Sequence, residues 1–237
     1  MKIALAAARQ VNRHLTFNLA QMERFMRMAK EKNGDLVCFG ETFLQGFDCF
    51  DWSFAQDRNM AVGLDSDAFR QICRLTERIG IDVLFGFAEL DGDVIYSSAA
   101  LIAGGKLHQR YRRISRGWKE YWHTDEHYQE GVSMPLFWYR GRRCAIGLCG
   151  DLWDHPERFA LGEDILFWPV YISYPPQEWE NGVKEEYAAQ AKLCSGRTLL
   201  INCVSVGDAY GGAVFFENGK ITAELPMGEE GLLMVEI

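Results

Sequence analysis

The sequence predicts an α/β protein in which helices cover the outer faces of two stacked sheets. Three observations carry this expectation. Strand-like apolar runs alternate with helical segments, which gives parallel strands joined by crossovers; hairpin turns such as Asp91-Gly92-Asp93 and Asn218-Gly219 add antiparallel pairs. The ten or more strands that result are many for one open sheet, and two stacked sheets hold them better.

The elements follow in order. Residues 2–8 form an apolar strand. Asn12 or Thr16 caps a helix whose Phe17, Leu19, Met22, Phe25, Met26 and Ala29 recur at helical spacing until "EKNGD" stops it. Strand 35–39 leads into a loop rich in Phe, Trp and Asp (43–62). A helix opening at Asp65 or Ser66 buries Phe69, Ile72, Cys73 and Ile79 and ends on Gly80. Strand 81–90 turns into "VIYSSAALIAG" and then into a third strand. The second half repeats the theme: a strand at 143–148, a helix around 156–162, strand "DILFWPVY", a helix at 181–195 and strand "TLLINCVSV". A hairpin at Asn218-Gly219 and the strand "GLLMVEI" close it.

Composition narrows the function classes. No Pro/Gly/Ser linker interrupts the 237 residues, so residues 1–237 are expected to form a single domain. A net charge of −8 argues against a nucleic-acid surface, and the basic run "HQRYRRISRGWK" reads as a strand end with a solvated loop. Seven cysteines without a CxxC pair point to reduced thiols and a cytoplasmic protein. The apolar start before Arg9 is too short for a signal segment, and no stretch approaches the roughly 20 apolar residues of a membrane span. His123 and His127 stand i,i+4 but lack a third ligand and read as loop surface, so no metal is expected. Cys144 and Cys149, five apart on one strand, would face opposite ways.

Two strand ends carry chemistry-bearing residues. In "CFGETFLQGF" (38–47) a buried run ends on glycine and then on a lone acid, Glu41. In "RRCAIGLCGDLWDHPERFA" Cys149 closes a strand and Gly150 follows, with a helix starting just beyond. Polar residues past the carboxyl ends of parallel strands are where α/β folds place their sites. A helix N-terminus beside a thiol is expected to lower its pKa, which singles out Cys149 from the other cysteines.

Together with the basic "YRR" between them, these stretches resemble the nitrilase superfamily of carbon–nitrogen hydrolases. That family reads Glu in a "PE…GY" stretch, Lys in "YRK" and Cys in "CYDxxxPE", in this order. The likeness extends through "IDVLFGFAEL…VIYSSAALIAGGKLHQRYRR" and the terminal "AKLCSGRTLLINCVSVGDAYGGAVFFENGKITAEL". It implies a four-layer αββα sandwich that hydrolyses a non-peptide C–N bond of a small amide or N-carbamoyl compound with no metal or organic cofactor. It also implies a homodimer or higher homo-oligomer. Cys149 would be the nucleophile, Glu41 the proton shuttle, and the Gly150 N–H an oxyanion donor.

The likeness breaks at the lysine, where Arg113 stands. Arginine is also a fixed cation, but its planar fork is longer. Three readings stay open: Arg113 supplies the cation; Lys119 reaches back from the loop; or the chain is a binding protein on a hydrolase fold, holding a small amide or a partner chain. Glu120 and Glu126 compete as a second loop acid. Trp153, Trp168, Tyr171, Tyr174 and Trp179 are either core aromatics or the walls of a small-substrate pocket.

Overall fold

The protein is described by a computed structural model covering residues 1–206 and 208–237. The first half carries β1 (Lys2–Ala7), α1 (Leu15–Glu31), β2 (Leu36–Cys38), α2 (Phe54–Asp57), α3 (Asp67–Ile79), β3 (Asp82–Asp91), β4 (Val94–Ala103) and β5 (Lys106–Arg112). The second half carries β6 (Phe137–Tyr139), β7 (Arg142–Ile146), α4 (Asp151–Asp154), β8 (Ile165–Pro169), α5 (Pro176–Glu178), α6 (Lys184–Cys194) and β9 (Arg197–Ile201). The strands β10 (Ala213–Glu217), β11 (Lys220–Leu225) and β12 (Gly231–Glu236) follow. The described residues form two six-stranded sheets, ordered β12-β1-β2-β3-β4-β5 and β11-β10-β9-β8-β7-β6. The expected αββα sandwich is the fold observed.

Strand periodicity explains how one sheet serves two layers. Ile3 and Leu5 point into the core shared with the second sheet. Their neighbours Ala4 and Ala6 point the other way, to Met22, Phe25, Met26, Phe69 and Ile72 on α1 and α3. β8 is buried at every position, because it lies between the opposite sheet and the second helical layer. No helix is long and apolar enough to cross a membrane, among the described residues.

Local chemistry sets the element ends. Ser66 caps α3 by accepting from Phe69 N, and Gly80 closes it at φ 72°. α1 is capped by His14, whose Nδ1 accepts from Phe17 N, rather than by Asn12 or Thr16. The helix expected around 156–162 is displaced: α4 ends at Asp154, and only one 3₁₀ turn, Pro156–Arg158, follows. Pro156 excludes helical backbone from His155, which sits at φ −140°. The helix expected at 181–195 runs instead through α5 and a π turn (Trp179–Val183), in which Gly182 takes φ 129°, before α6 begins. Strand β6, an edge strand of three residues, went unanticipated because it is too short for a period-2 signal.

The parallel strands β1, β2 and β3 in one sheet and β7, β8 and β9 in the other bring their carboxyl ends to one side. There the two sheets are joined through main chain: Glu41 N, just past β2, donates to Val170 O, just past β8, at 3.2 Å. Gly86 on β3 makes this approach possible. A Cβ on it would lie 2.5 Å from Thr42 N and 2.7 Å from Glu41 Cα. Gly86→Ala should therefore lower stability by about 3 kcal/mol, at the upper end of overpacking costs. Gly92→Ala, in an open turn at φ 62°, should cost only about 1 kcal/mol. Urea unfolding of both variants checks the ordering.

Candidate active site

At the joined strand ends, Glu41, Arg113 and Cys149 come together from three elements. Glu41 follows β2 and is wholly buried. Its Oε1 accepts from Arg113 Nη1 at 2.9 Å and from Ser97 Oγ at 3.0 Å, while its Oε2 is buried with no hydrogen-bond partner. Arg113 follows β5 and is 3% exposed; Nε donates to Ser115 Oγ at 2.7 Å. Burial opposes the Arg113 charge, but Glu41, Cys149 and Asp151 outweigh it and hold the group firmly protonated.

Cys149 sits on a sharp turn between β7 and α4 with φ 41°, in the left-handed region that non-glycine residues rarely adopt. The turn is held on both sides: Cys149 N donates to Pro169 O at 3.0 Å, and Trp168 Nε1 donates to Cys149 O at 2.9 Å. The thiol approaches Tyr171 O at 3.7 Å. Burial and then the Glu41 charge push the thiol up to about 12, against the opposing pull of Arg113. The expectation of a lowered thiol pKa is thus reversed. α4 has only four residues, and its terminus is too small a dipole to offset desolvation beside a carboxylate.

Gly150 lies against the guanidinium. A Cβ there would be 2.5 Å from Arg113 Nη2, so only glycine fits. Its N–H has no hydrogen-bond partner among the described residues. Lys119 is drawn elsewhere: Nζ donates to Tyr128 O and pairs with Glu130 at 3.0 Å. Of the two cations left open by the sequence, Arg113 is the one whose charge acts on Cys149. Glu120 and Glu126 are exposed loop residues.

The aromatic residues divide. Trp168 and Trp179 are fully buried and, with the exposed Trp153 and Tyr174, surround Tyr187 at ring distances of 5.0 to 6.4 Å, so the cluster behind the Cys149 turn runs from the core to the surface. Trp168 is therefore a buried support and not a pocket wall. Trp153, 39% exposed, edges onto Tyr187 and Trp168. Tyr171 belongs to a different group: its ring stacks on Phe47 at 4.3 Å. Cys144 lies inside β7 but Cys149 lies beyond that strand's end, so the alternation expected to separate their faces does not reach Cys149. His123 is exposed and His127 stacks on Phe54 at 4.0 Å. No group of three or more metal-ligating side chains is placed to hold an ion, among the described residues.

Sequence reading passed over Asp151. It is wholly buried and accepts four hydrogen bonds: Oδ1 from Ile114 N (3.0 Å) and Ser115 N (2.7 Å), Oδ2 from Tyr111 OH (2.6 Å) and Leu148 N (2.8 Å). It thereby ties the segment carrying Arg113 to the turn carrying Cys149. The signal was present as the aspartate of the cysteine motif, but an acid at the start of a helix reads first as a cap. Asp151→Asn puts an amide where only acceptors fit. It should cost about 3 kcal/mol, the scale of losing charged buried hydrogen bonds, measured as a fall in urea midpoint with unchanged slope.

Comparison with known proteins identifies the family and the fold. Residues 2–237 match the carbon-nitrogen hydrolase family. The glutamine-dependent NAD(+) synthetase of Thermotoga maritima is 24% identical over 197 residues, 80% of this chain and 33% of that protein. An arylacetone-specific nitrilase of Alcaligenes faecalis is 29% identical over 229 residues, 86% of this chain and 62% of that protein. The chain thus spans a third of the first relative and less than two thirds of the second. Among solved structures, an amidase from Nesterenkonia sp. superposes with a TM-score of 0.80 at 20% identity, covering 100% of this chain and 90% of its own. The NAD+ synthetase of Acinetobacter baumannii superposes with a TM-score of 0.80 at 22% identity, covering 98% of this chain and 44% of its own. The chain belongs to the carbon-nitrogen hydrolase family of the nitrilase superfamily.

Proposed function

We propose that this chain hydrolyses the C–N bond of a small carboxamide or N-carbamoyl compound, with Cys149 as nucleophile and Glu41 as proton shuttle. One observation carries the reading. A buried carboxylate faces the thiol on the strained turn; one of its oxygens is fixed by Arg113 and Ser97 and the other is left without a partner. The Nesterenkonia amidase supports it from outside: one of its structures holds acrylamide added at the active-site cysteine.

The chemistry runs through one shuttled proton. A thiol held near 12 is almost entirely protonated at neutral pH, so attack requires a base in the same step. Cys149 Sγ bonds to the carbonyl carbon while Glu41 Oε2 takes the thiol proton. The oxyanion meets the free Gly150 N–H and the adjoining Arg113 guanidinium. Glu41 then passes its proton to nitrogen, the C–N bond breaks, and ammonia or an amine leaves a thioester on Cys149. Water attacks that thioester, giving a proton to Glu41; the C–S bond breaks and the proton returns to sulfur. Arg113 keeps Glu41 oriented through these steps.

Two measurements on one variant test the assignment, because they move in opposite directions. Glu41→Gln removes the base, so turnover of small amides should fall by about 10²-fold or more. It also removes the negative charge that raises the thiol, so Cys149 should titrate lower and its alkylation by iodoacetamide at pH 8 should accelerate. In the unaltered protein that alkylation should be slow and rise steadily toward pH 12. A Gln variant that keeps most of its turnover rejects Glu41 as the base.

Arg113 has its own test. Arg113→Ala should lose about 10²-fold in turnover and raise the Cys149 titration further, whereas Lys119→Ala should leave that titration in place. If Lys119→Ala shifts it and Arg113→Ala does not, the cation is Lys119. If neither shifts it and no amide is turned over, the chain is a binding protein on this fold.

A further inference from the structure

Beside the catalytic trio lies a cavity of about 170 Å³ that none of the preceding chemistry uses. We infer that it is the subsite for the part of the substrate distal to the scissile bond, and that it takes a cationic amino or guanidino group on a short chain. The inference rests on the Cys149–Glu41 reading for its position and on the cavity's own walls for its ligand.

Its position is fixed on two sides. Gly117 lines the cavity, and a Cβ on it would lie 3.2 Å from Arg113 Nη2, so the guanidinium lies close behind the wall that Gly117 forms. Phe47 lines it too and stacks on Tyr171, whose carbonyl is 3.7 Å from Cys149 Sγ. A chain leaving the reacting carbon thus has a short path into this space.

The walls are aromatic and the rim is acidic. Phe47, Phe50, Trp52 and Trp118 supply the ring surfaces. Phe50 and Trp52 are pinned against Tyr128, with ring centroids at 6.2 and 5.9 Å, and Tyr128 OH is in turn held by Asp57 at 2.6 Å. Trp118 is buried, and Lys119 Nζ lies 5.7 Å from the centre of its ring. The charged groups are Asp48, Glu120 and Lys119. Lys119 is neutralised by Glu130 at 3.0 Å, and Arg113, behind the Gly117 wall, by Glu41. Asp48 and Glu120 have no ion-pair partner among the described residues; Asp48 receives only long contacts of 3.4 Å from Asn12 and Tyr171. Two uncompensated carboxylates above aromatic faces attract a cation, through the charges and the ring quadrupoles together, and repel a carboxylate. A neutral aryl group would use the rings but leave the rim idle.

Three amides of matched length test this: 4-aminobutanamide, pentanamide and succinamate, ending in ammonium, methyl and carboxylate. Binding to Cys149→Ser protein is followed by tryptophan fluorescence, which Trp52 and Trp118 report, and hydrolysis is followed with the unaltered protein. The ammonium amide should bind about tenfold more tightly than pentanamide and succinamate most weakly, with the preference shrinking as salt is raised. Asp48→Asn with Glu120→Gln should narrow the ammonium-to-methyl gap to about twofold. Equal or reversed preference, or a preference the double variant leaves intact, overturns the inference. Preference in binding without turnover of any amide keeps the subsite and rejects the catalytic reading; turnover without preference does the opposite.

Discussion

The site depends on a buried set of charges held in place by one another, with a single carboxylate oxygen, Glu41 Oε2, left unpartnered. Arg113 lies between Glu41 and the backbone turn of Gly150, and Asp151 holds the segment from which Arg113 projects. Ions removed from water are expensive unless paired and hydrogen-bonded, and removing one partner leaves the other uncompensated. Three sequence-distant segments are therefore locked to one another: the end of β2, the end of β5 and the turn after β7. Their fixed mutual position does not come from the loops themselves. It comes from sheet ends packed edge to edge, through contacts such as Glu41 N to Val170 O.

The same burial governs reactivity. A cysteine that is simply desolvated becomes inert, and five of the seven thiols are buried in this way. Cys149 shares the raised pKa of those residues, but it sits on the strained turn beside Arg113 and Glu41, whose Oε2 has no hydrogen-bond partner. Under the proposed chemistry, proton transfer to Glu41 makes the sulfur nucleophilic as it meets a carbonyl to attack.

Much of this was legible in the sequence, and the failures have physical causes. The period-2 and helical patterns of β1, α1, α3 and β4 are strong because each element buries one face or both. Glu41 and Cys149 stood out because a polar residue closing an apolar run has no packing reason to be there. The helix after Cys149 was misplaced because Pro156 was read as a start when it acts as a stop. The roles of Trp168 and Tyr171 could not be separated from sequence. Trp168 lies near the end of the apolar β8 and Tyr171 two residues past it, and only the three-dimensional direction of each ring puts one behind the Cys149 turn and the other against Phe47. Phe50, Trp52 and Trp118 were invisible as a group because their cavity is assembled from two loops far apart in the chain.

The arginine in place of the family's lysine illustrates how such a departure is accommodated. A guanidinium is wider than an ammonium and needs room in its plane. That room is present on two sides: a Cβ at Gly150 would stand 2.5 Å from Nη2 and one at Gly117 would stand 3.2 Å from it. The fork donates from Nε to Ser115 and from Nη1 to Glu41, so the larger head is held by two hydrogen bonds. A lysine at 113 would reach Glu41 with a single point charge and leave Ser115 unbonded, while the space above Gly117 would be open to the neighbouring cavity. The arginine and its two glycines therefore fit one another, the glycines leaving room for the wider head that orients the carboxylate.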